Sequence, residues 1–162
     1  MASIGVLYGS TTGATQEVAE KISQELGATL VDVSSADESA LNHDVLILGS
    51  STWGLGELQD DWGSFISELE KADLSGKKVA FFGTGDQEGF SDTFVDAMGL
   101  LYDAVADKGV TVIGKCPTDG YSGGGLAIRD GQFVGLPIDN TNQEDLTEDR
   151  VSAWIEKLRA EM

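Results

Sequence analysis

Gly9-Ser10-Thr11-Thr12-Gly13-Ala14-Thr15 places four hydroxyls and two glycines directly ahead of an amphipathic stretch. Side-chain donors, backbone N–H groups and the positive end of a helix dipole can together surround a phosphate at such a start. The first Lys or Arg in the chain is Lys21, so a phosphate held in this loop keeps nearly its full negative charge. The same residues also make an ordinary hydroxyl-capped helix start, and the loop alone does not choose between the two. Two other phosphate motifs fail. The Gly-Lys-Ser/Thr element of nucleoside triphosphatases is absent, and Gly83-Thr84-Gly85 meets Glu88 where the dinucleotide fingerprint needs a third glycine.

Two further segments carry aromatic rings on glycine-rich loops. Ser51-Thr52-Trp53-Gly54-Leu55-Gly56-Glu57-Leu58-Gln59-Asp60-Asp61-Trp62 sets Trp53 where a ring covers a flat ligand or folds back onto the protein, while Trp62, on the following helix, suits the core. Thr84-Gly85-Asp86-Gln87-Glu88-Gly89-Phe90-Ser91-Asp92 offers Phe90, which either closes a sandwich on a planar heterocycle or staples the helix behind it. His43 has no neighbouring cysteine or second histidine and reads as a surface-loop residue, not a ligand. Cys116 is the only cysteine, which excludes an intrachain disulfide and any cysteine-built zinc or iron–sulfur site; it reads as a small buried hydrophobe. Redox chemistry, if present, must come from a bound organic cofactor.

Apolar periodicity supplies the elements that position these segments. Strands are predicted at Ile4–Tyr8, Leu30–Val33, Val45–Leu48, Lys78–Phe82 and Val110–Ile113. Helices are predicted over Thr15–Leu26, over Asp61–Leu69, along the face Phe94, Met98, Leu101, Tyr102 and Val105, and around Trp154, Ile155 and Leu158. Strands alternating with helices imply an α/β fold, a five-stranded parallel sheet with helices on both faces. The segment from Pro117 to Asn142 breaks the alternation, with Gly123-Gly124-Gly125 ahead of a hairpin-like stretch, Leu126–Ile138, turning at Asp130-Gly131; it reads as an insertion beside the last strand. In such folds ligands sit beyond the carboxyl ends of the strands, where the three loops above emerge.

The 162 residues suit a single domain, 1–162. The formal charge of −18, from 28 acidic and 10 basic side chains, repels nucleic acid and anionic membrane and attracts basic protein surfaces; charge alone suits solubility equally well. No run approaches the ~18 apolar residues of a membrane span, and the chain reads as a cytoplasmic monomer.

The three loops, in this order, resemble those of the flavodoxins. GSTTGAT is similar to their phosphate loop, STWGLGELQDDW to the first ring-stacking loop and GTGDQEGFSDTF to the second. TDGYSGGG and DGQFVGLPIDNTNQ, followed by LTEDRVSAWIEKL, resemble the long-chain subgroup. The resemblance implies a flavodoxin-like sheet with a long-chain insertion and FMN as cofactor. It also implies low-potential one-electron transfer in place of ferredoxin, through oxidised, semiquinone and hydroquinone states, with no substrate turnover. By the same resemblance Ser10, Thr11, Thr12, Gly13, Ala14 and Thr15 hold the phosphate; Thr52, Trp53, Gly54, Leu55 and Gly56 line one side of the isoalloxazine, and Thr84, Gly85 and Asp86 approach its edge. A peptide at Gly54-Leu55 is the one the family turns toward the flavin N5. Phe90 stands where the family usually has tyrosine, and Thr93 and Thr141 replace an asparagine and an aspartate.

Two rivals share the architecture. An FMN-dependent NAD(P)H quinone or nitro reductase needs an open face for the nicotinamide, which two aromatic covers leave little room for. A response-regulator receiver domain needs acidic residues where Gly9-Ser10 and Gly49-Ser50-Ser51 stand. Ser51–Leu69 and Phe81–Ala106 contain no Lys or Arg, while Glu57, Asp60, Asp61, Asp86, Glu88 and Asp92 surround the expected ring position. One such charge at about 10 Å and an effective dielectric of about 40 opposes a negative ring by roughly 0.8 kcal/mol. The sum favours a strong reductant, and the rim would steer basic partners such as a flavodoxin/ferredoxin-NADP reductase, photosystem I or nitrogenase reductase.

Overall fold

A computed structural model describes residues 3–9, 13–53 and 57–162, with the backbone but not the side chain of Trp53. The chain runs β1 (Ile4–Gly9), α1 (Ala14–Leu26), β2 (Thr29–Asp32), β3 (Val45–Trp53), β4 (Glu57–Leu58), α2 (Asp60–Lys71), β5 (Lys78–Thr84), α3 (Asp96–Val105), β6 (Thr111–Val112), β7 (Cys116–Pro117), β8 (Ile128–Arg129), β9 (Gln132–Phe133), β10 (Leu136–Ile138) and α4 (Glu144–Glu161). Short 3₁₀ turns occupy 33–35, 38–41 and 91–93.

Strands buried on both faces are apolar at successive positions, and the period of two sends alternate residues to opposite cores. Val6, Tyr8, Val45, Ile47, Ala80 and Phe82 pack with Val18 and Ile22 of α1 and Trp154 and Leu158 of α4. Their neighbours Leu7, Leu46, Leu48, Val79 and Phe81 pack instead with Trp62, Phe65 and Leu69 of α2 and Met98 and Leu101 of α3. The sheet order is β2-β1-β3-β5-β10, with parallel pairing throughout, so the expected five-stranded parallel sheet with helices on both faces is what forms. The order reverses between β1 and β3.

The fifth position is divided. Thr111 and Val112 pair with Lys78 and Val79, the chain then leaves, and Leu136–Ile138 returns to pair with Phe82, Gly83 and Thr84. The insertion therefore splits the last strand as well as lying beside it. Its own antiparallel sheet, β7-β9-β8, contains the expected hairpin, turned by Asp130 (φ 55°) and Gly131 (φ 82°), the left-handed pair that matches strand twist. Phe133 meets Phe94 and Tyr121 edge to face beneath it, joining the insertion to the α3 side of the core.

Several boundaries differ from the periodicity, three of them for reasons the hydrogen bonds and backbone show. β3 runs on from Leu48 through Gly49, Ser50 and Ser51, because β1 and β5 pair with it there on both sides. β2 stops at Asp32, whose carboxylate accepts from Ser34 N–H at 2.9 Å and starts a 3₁₀ turn. Helix α3 begins at Asp96 and not at Phe94, since Val95 before it has a non-helical backbone (φ −130°, ψ 43°). Among the described residues no helix is long and apolar enough to cross a membrane. His43 is half-buried, its ring against Gly5.

Candidate functional site

The loops beyond the carboxyl ends of β1, β3 and β5 converge on a cleft of about 340 Å³, within the range of small-molecule sites. Ala14 lies at its α1 end, Ser51 and Thr52 come from β3, Thr84, Gly85 and Asp86 from β5, and Phe90 and Phe94 from the loop that follows. Asn140 and Thr141, after β10, complete the lining. Six of the proposed site residues are thereby brought to one surface: Ala14, Thr52, Thr84, Gly85, Asp86 and Phe90. Ser10, Thr11, Thr12, Gly54, Leu55, Gly56 and the Trp53 side chain lie outside the described residues.

Helix α1 opens at the cleft. Gly13 is its N-cap, with φ 94° and no side-chain cap hydrogen bond. The first-turn N–H groups of any helix lack intrahelical acceptors and concentrate positive potential, so Ala14 and Thr15 present donors here. The Thr15 hydroxyl itself is buried and hydrogen-bonded to the Thr84 hydroxyl, with 3.0 Å between the oxygens, which fastens α1 to the end of β5. Gly85 is required by close approach: a Cβ there would overlap the Phe94 carbonyl oxygen.

The loop carrying Phe90 is held by carboxylates. Asp86 Oδ1 accepts from the N–H groups of Gly89 (2.8 Å) and Glu88 (3.1 Å) and from Asn142 Nδ2 (2.7 Å). The Gly89 bond is the main cause of an Asp86 carboxyl held below the usual range, with Asn142 second. This group shapes its own loop as well as lining the cleft. Asp139, fully buried, accepts from Gln87 N–H, Thr141 N–H, Asn142 N–H and Asn142 Nδ2. Phe90 stays 45% exposed, so it is no staple buried against the helix behind it.

Sequence reasoning passed over Ser51, Phe94 and Asn140 as lining and Asp139 as a support. The Asp-Asn-Thr-Asn run at 139–142, closing an apolar strand, is a turn signal that marks a fourth loop at the same edge.

Asp86 is the one charged residue of the described lining, and Glu57, Asp60, Glu88 and Asp92, close in sequence to lining residues, are exposed. The ion pairs of the described residues lie elsewhere, at Lys21–Glu148, Lys71–Glu68, Arg129–Asp103 and Arg159 with Glu25 and Glu156. Lys77, Lys78 and Lys108 donate to the carbonyls of His43, Met162 and Ala72 at the opposite edge of the sheet. Cys116, half-buried between β6 and the insertion, has its thiol pushed up to about 11 by desolvation and takes no part in the cleft.

Asp96, at the start of α3, is buried and accepts from Leu126 N–H at 2.8 Å. Burial raises its carboxyl above the ordinary 3.8. A carboxyl raised on folding stabilises the fold while protonated, and that contribution is lost as pH climbs from about 3.8 through the folded-state value. Asp96→Asn keeps an acceptor and removes the charge, so at pH 7 it should gain about 1 kcal/mol in urea unfolding, the low end of an uncompensated polar burial. The gain should fade below pH 3.8; a neutral or destabilising substitution at pH 7 would contradict it.

A doubly wound sheet with a polar-ended, aromatic-flanked cleft at its switch point defines an α/β protein built for a mononucleotide-sized ligand. The flavodoxin family model matches residues 6–154. The chain is 46% identical over 167 residues to a flavodoxin of Synechococcus elongatus, covering 99% of this chain and 98% of that one, and 44% identical over 170 residues to flavodoxin 1 of Azotobacter vinelandii, covering 99% and 98%. A flavodoxin of Fusobacterium nucleatum, solved bound to flavin mononucleotide, superimposes with a TM-score of 0.94 at 32% identity, covering 100% of this chain and 99% of that one. This chain belongs to the flavodoxin family, one of the families from which the switch-point rule was drawn.

Proposed function

We propose that this chain binds one FMN in the cleft and carries single electrons between larger redox proteins, as a cytoplasmic monomer folded as one domain over 1–162. The observation that carries the reading is the cleft itself: a helix N-terminus at one end, an exposed Phe90 at its side and no cation in its described lining. These features fit the cofactor's parts. The α1 N–H groups, that of Thr15 among them, and the hydroxyls of Ser10, Thr11 and Thr12 meet a phosphate, Thr52 and Trp53–Gly56 lie along a ring face, and Thr84–Asp86 lie at its edge. FMN, when bound, supplies one-electron chemistry at its isoalloxazine ring.

The chain's own contribution is orientation, exclusion of water and a negative field. Phe90 covers the ring face that would otherwise meet solvent. Phe90→Ala should weaken FMN by about 1–2 kcal/mol, from aromatic stacking and lost burial, measured by fluorescence titration of the apoprotein; an unchanged affinity with an unchanged flavin spectrum would remove Phe90 from the site. The decisive test of the whole reading is uptake of FMN at one per chain, with riboflavin held much more weakly and no steady NADPH turnover by the isolated protein. Equal affinity for the two flavins would overturn it.

The acidic rim fits a partner with a basic face, such as a flavodoxin/ferredoxin-NADP reductase, the acceptor side of photosystem I or a nitrogenase reductase. With such a reductase the bimolecular rate should fall as salt rises and the Debye length shortens to about 8 Å near physiological ionic strength. A rate that climbs steadily from the lowest salt would mean that the acidity serves solubility instead.

A further inference from the structure

Gln87 is 2% exposed, in a loop whose neighbours Asp86, Glu88, Gly89 and Phe90 all reach solvent. Its side-chain carbonyl Oε1 accepts from Ser122 N–H (2.6 Å), Gly123 N–H (3.3 Å) and the Ser122 hydroxyl (3.2 Å). Its backbone N–H donates to buried Asp139 at 3.2 Å. Its Nε2, by contrast, is buried with no partner among the described residues. One half of the amide is thus desolvated without compensation while the other half gathers two backbone donors from a turn 35 residues away.

That turn belongs to the insertion, and it does not stop at Gln87. Gly124 N–H donates to Ser91 O at 2.8 Å, Phe94 N–H donates back to Gly124 O at 3.2 Å, and Leu126 N–H donates to Asp96. Phe90 therefore sits between two points of attachment, Gln87 three residues before it and Ser91 immediately after. Its remaining backbone bonds, to Asp86 O and from Thr93 N–H, are local to the loop.

We propose that Gln87 is a positioning residue that locks the insertion turn Ser122–Gly125 onto the Phe90 loop, so that the insertion sets where the ring cover stands. The inference rests on the FMN reading above and deepens it. The turn Ser122–Gly125 then acts on the cofactor's ring end without itself lining the cleft, and the phosphate end, built on α1, is independent of it.

The test compares the full-length protein with Gln87→Met, which keeps the side-chain length and removes the acceptor, and Gln87→Glu, which keeps an acceptor oxygen. FMN and riboflavin dissociation constants and both one-electron midpoint potentials are measured on each. Gln87→Met is expected to weaken both flavins by the same factor, about five-fold, the loss of one hydrogen-bonded clamp. It should also move at least one couple by about 40 mV, a five-fold change at 59 mV per decade. Gln87→Glu should return riboflavin affinity to within about two-fold of the parent. A folded Gln87→Met with unchanged affinities and unchanged potentials overturns the proposal, even if its melting temperature falls. Should Gln87→Met fail to fold, Gln87→Leu, which also lacks an acceptor, decides: about a five-fold loss for both flavins supports the clamp, and parental affinities with parental potentials overturn it. Failure of the parent protein to take up FMN would sink the functional reading and is seen before any variant is made.

Discussion

Trp62→Ala lowers the unfolding free energy by about 3–5 kcal/mol, the range for truncating a buried aromatic. Trp62 is fully buried, stacks edge to face on Phe65 at 5.7 Å, and donates from Nε1 to Gly49 O at 2.6 Å. It is anchored from the other side by Gln59, whose side-chain oxygen accepts from Asp61 and Trp62 N–H while its own N–H donates to Ser50 Oγ. The ring thereby joins α2 to the middle of β3. Trp62→Phe separates the two contributions: it keeps most of the ring and loses about 1 kcal/mol with the Nε1–H bond to Gly49 O. Urea unfolding of the apoprotein reads both numbers, and a Trp62→Ala loss under about 1 kcal/mol would contradict the burial described here.

Thr12→Ala weakens FMN by about 1.5–3 kcal/mol, the scale of a hydrogen bond to a charged group, or roughly ten- to a hundred-fold in dissociation constant. On the proposed reading the effect is large because the loop 9–15 contains no Lys or Arg, which would leave hydroxyls and helix N–H groups to hold the phosphate. Riboflavin, which has the ring and no phosphate, should bind Thr12→Ala as it binds the parent. Equal losses for both flavins would place Thr12 at the ring or in the scaffold.

The strands were readable because burial on both faces leaves no polar position: Leu7, Leu46 and Val79 face one core while Val6, Val45 and Ala80 face the other. The Phe90 loop was readable for a related reason, since glycines and an aromatic beyond a strand end have no use in a core. Pairing was harder. Val110–Ile113 has the composition of a full strand, yet only Thr111 and Val112 pair with β5, because Leu136–Ile138 takes the rest of that edge. The polar run Gly49-Ser50-Ser51 hides a strand that exists only because neighbours flank it. Supports were invisible. Gln87 finds its partners 35 residues away and Asp139 reaches back 52 residues, separations that no local pattern encodes. Thr15 shows the opposite limit, since its place in the phosphate loop was evident while its hydroxyl's engagement with Thr84, 69 residues on, was not.

The divided edge strand has an architectural consequence. Val112 docks beside Val79 and Leu136 beside Phe82, so the chain leaves and re-enters the sheet three residues apart along one strand, about 10 Å. A segment whose two ends nearly meet behaves as a graft: it can lengthen, shorten or be exchanged while the strand order around it stays the same. The graft is not free everywhere, however. Its tip is sewn to the Phe90 loop through Gln87 and Ser91, so length can vary more cheaply at the exposed turn 130–131 than at Ser122–Gly125 or beside the buried Phe133.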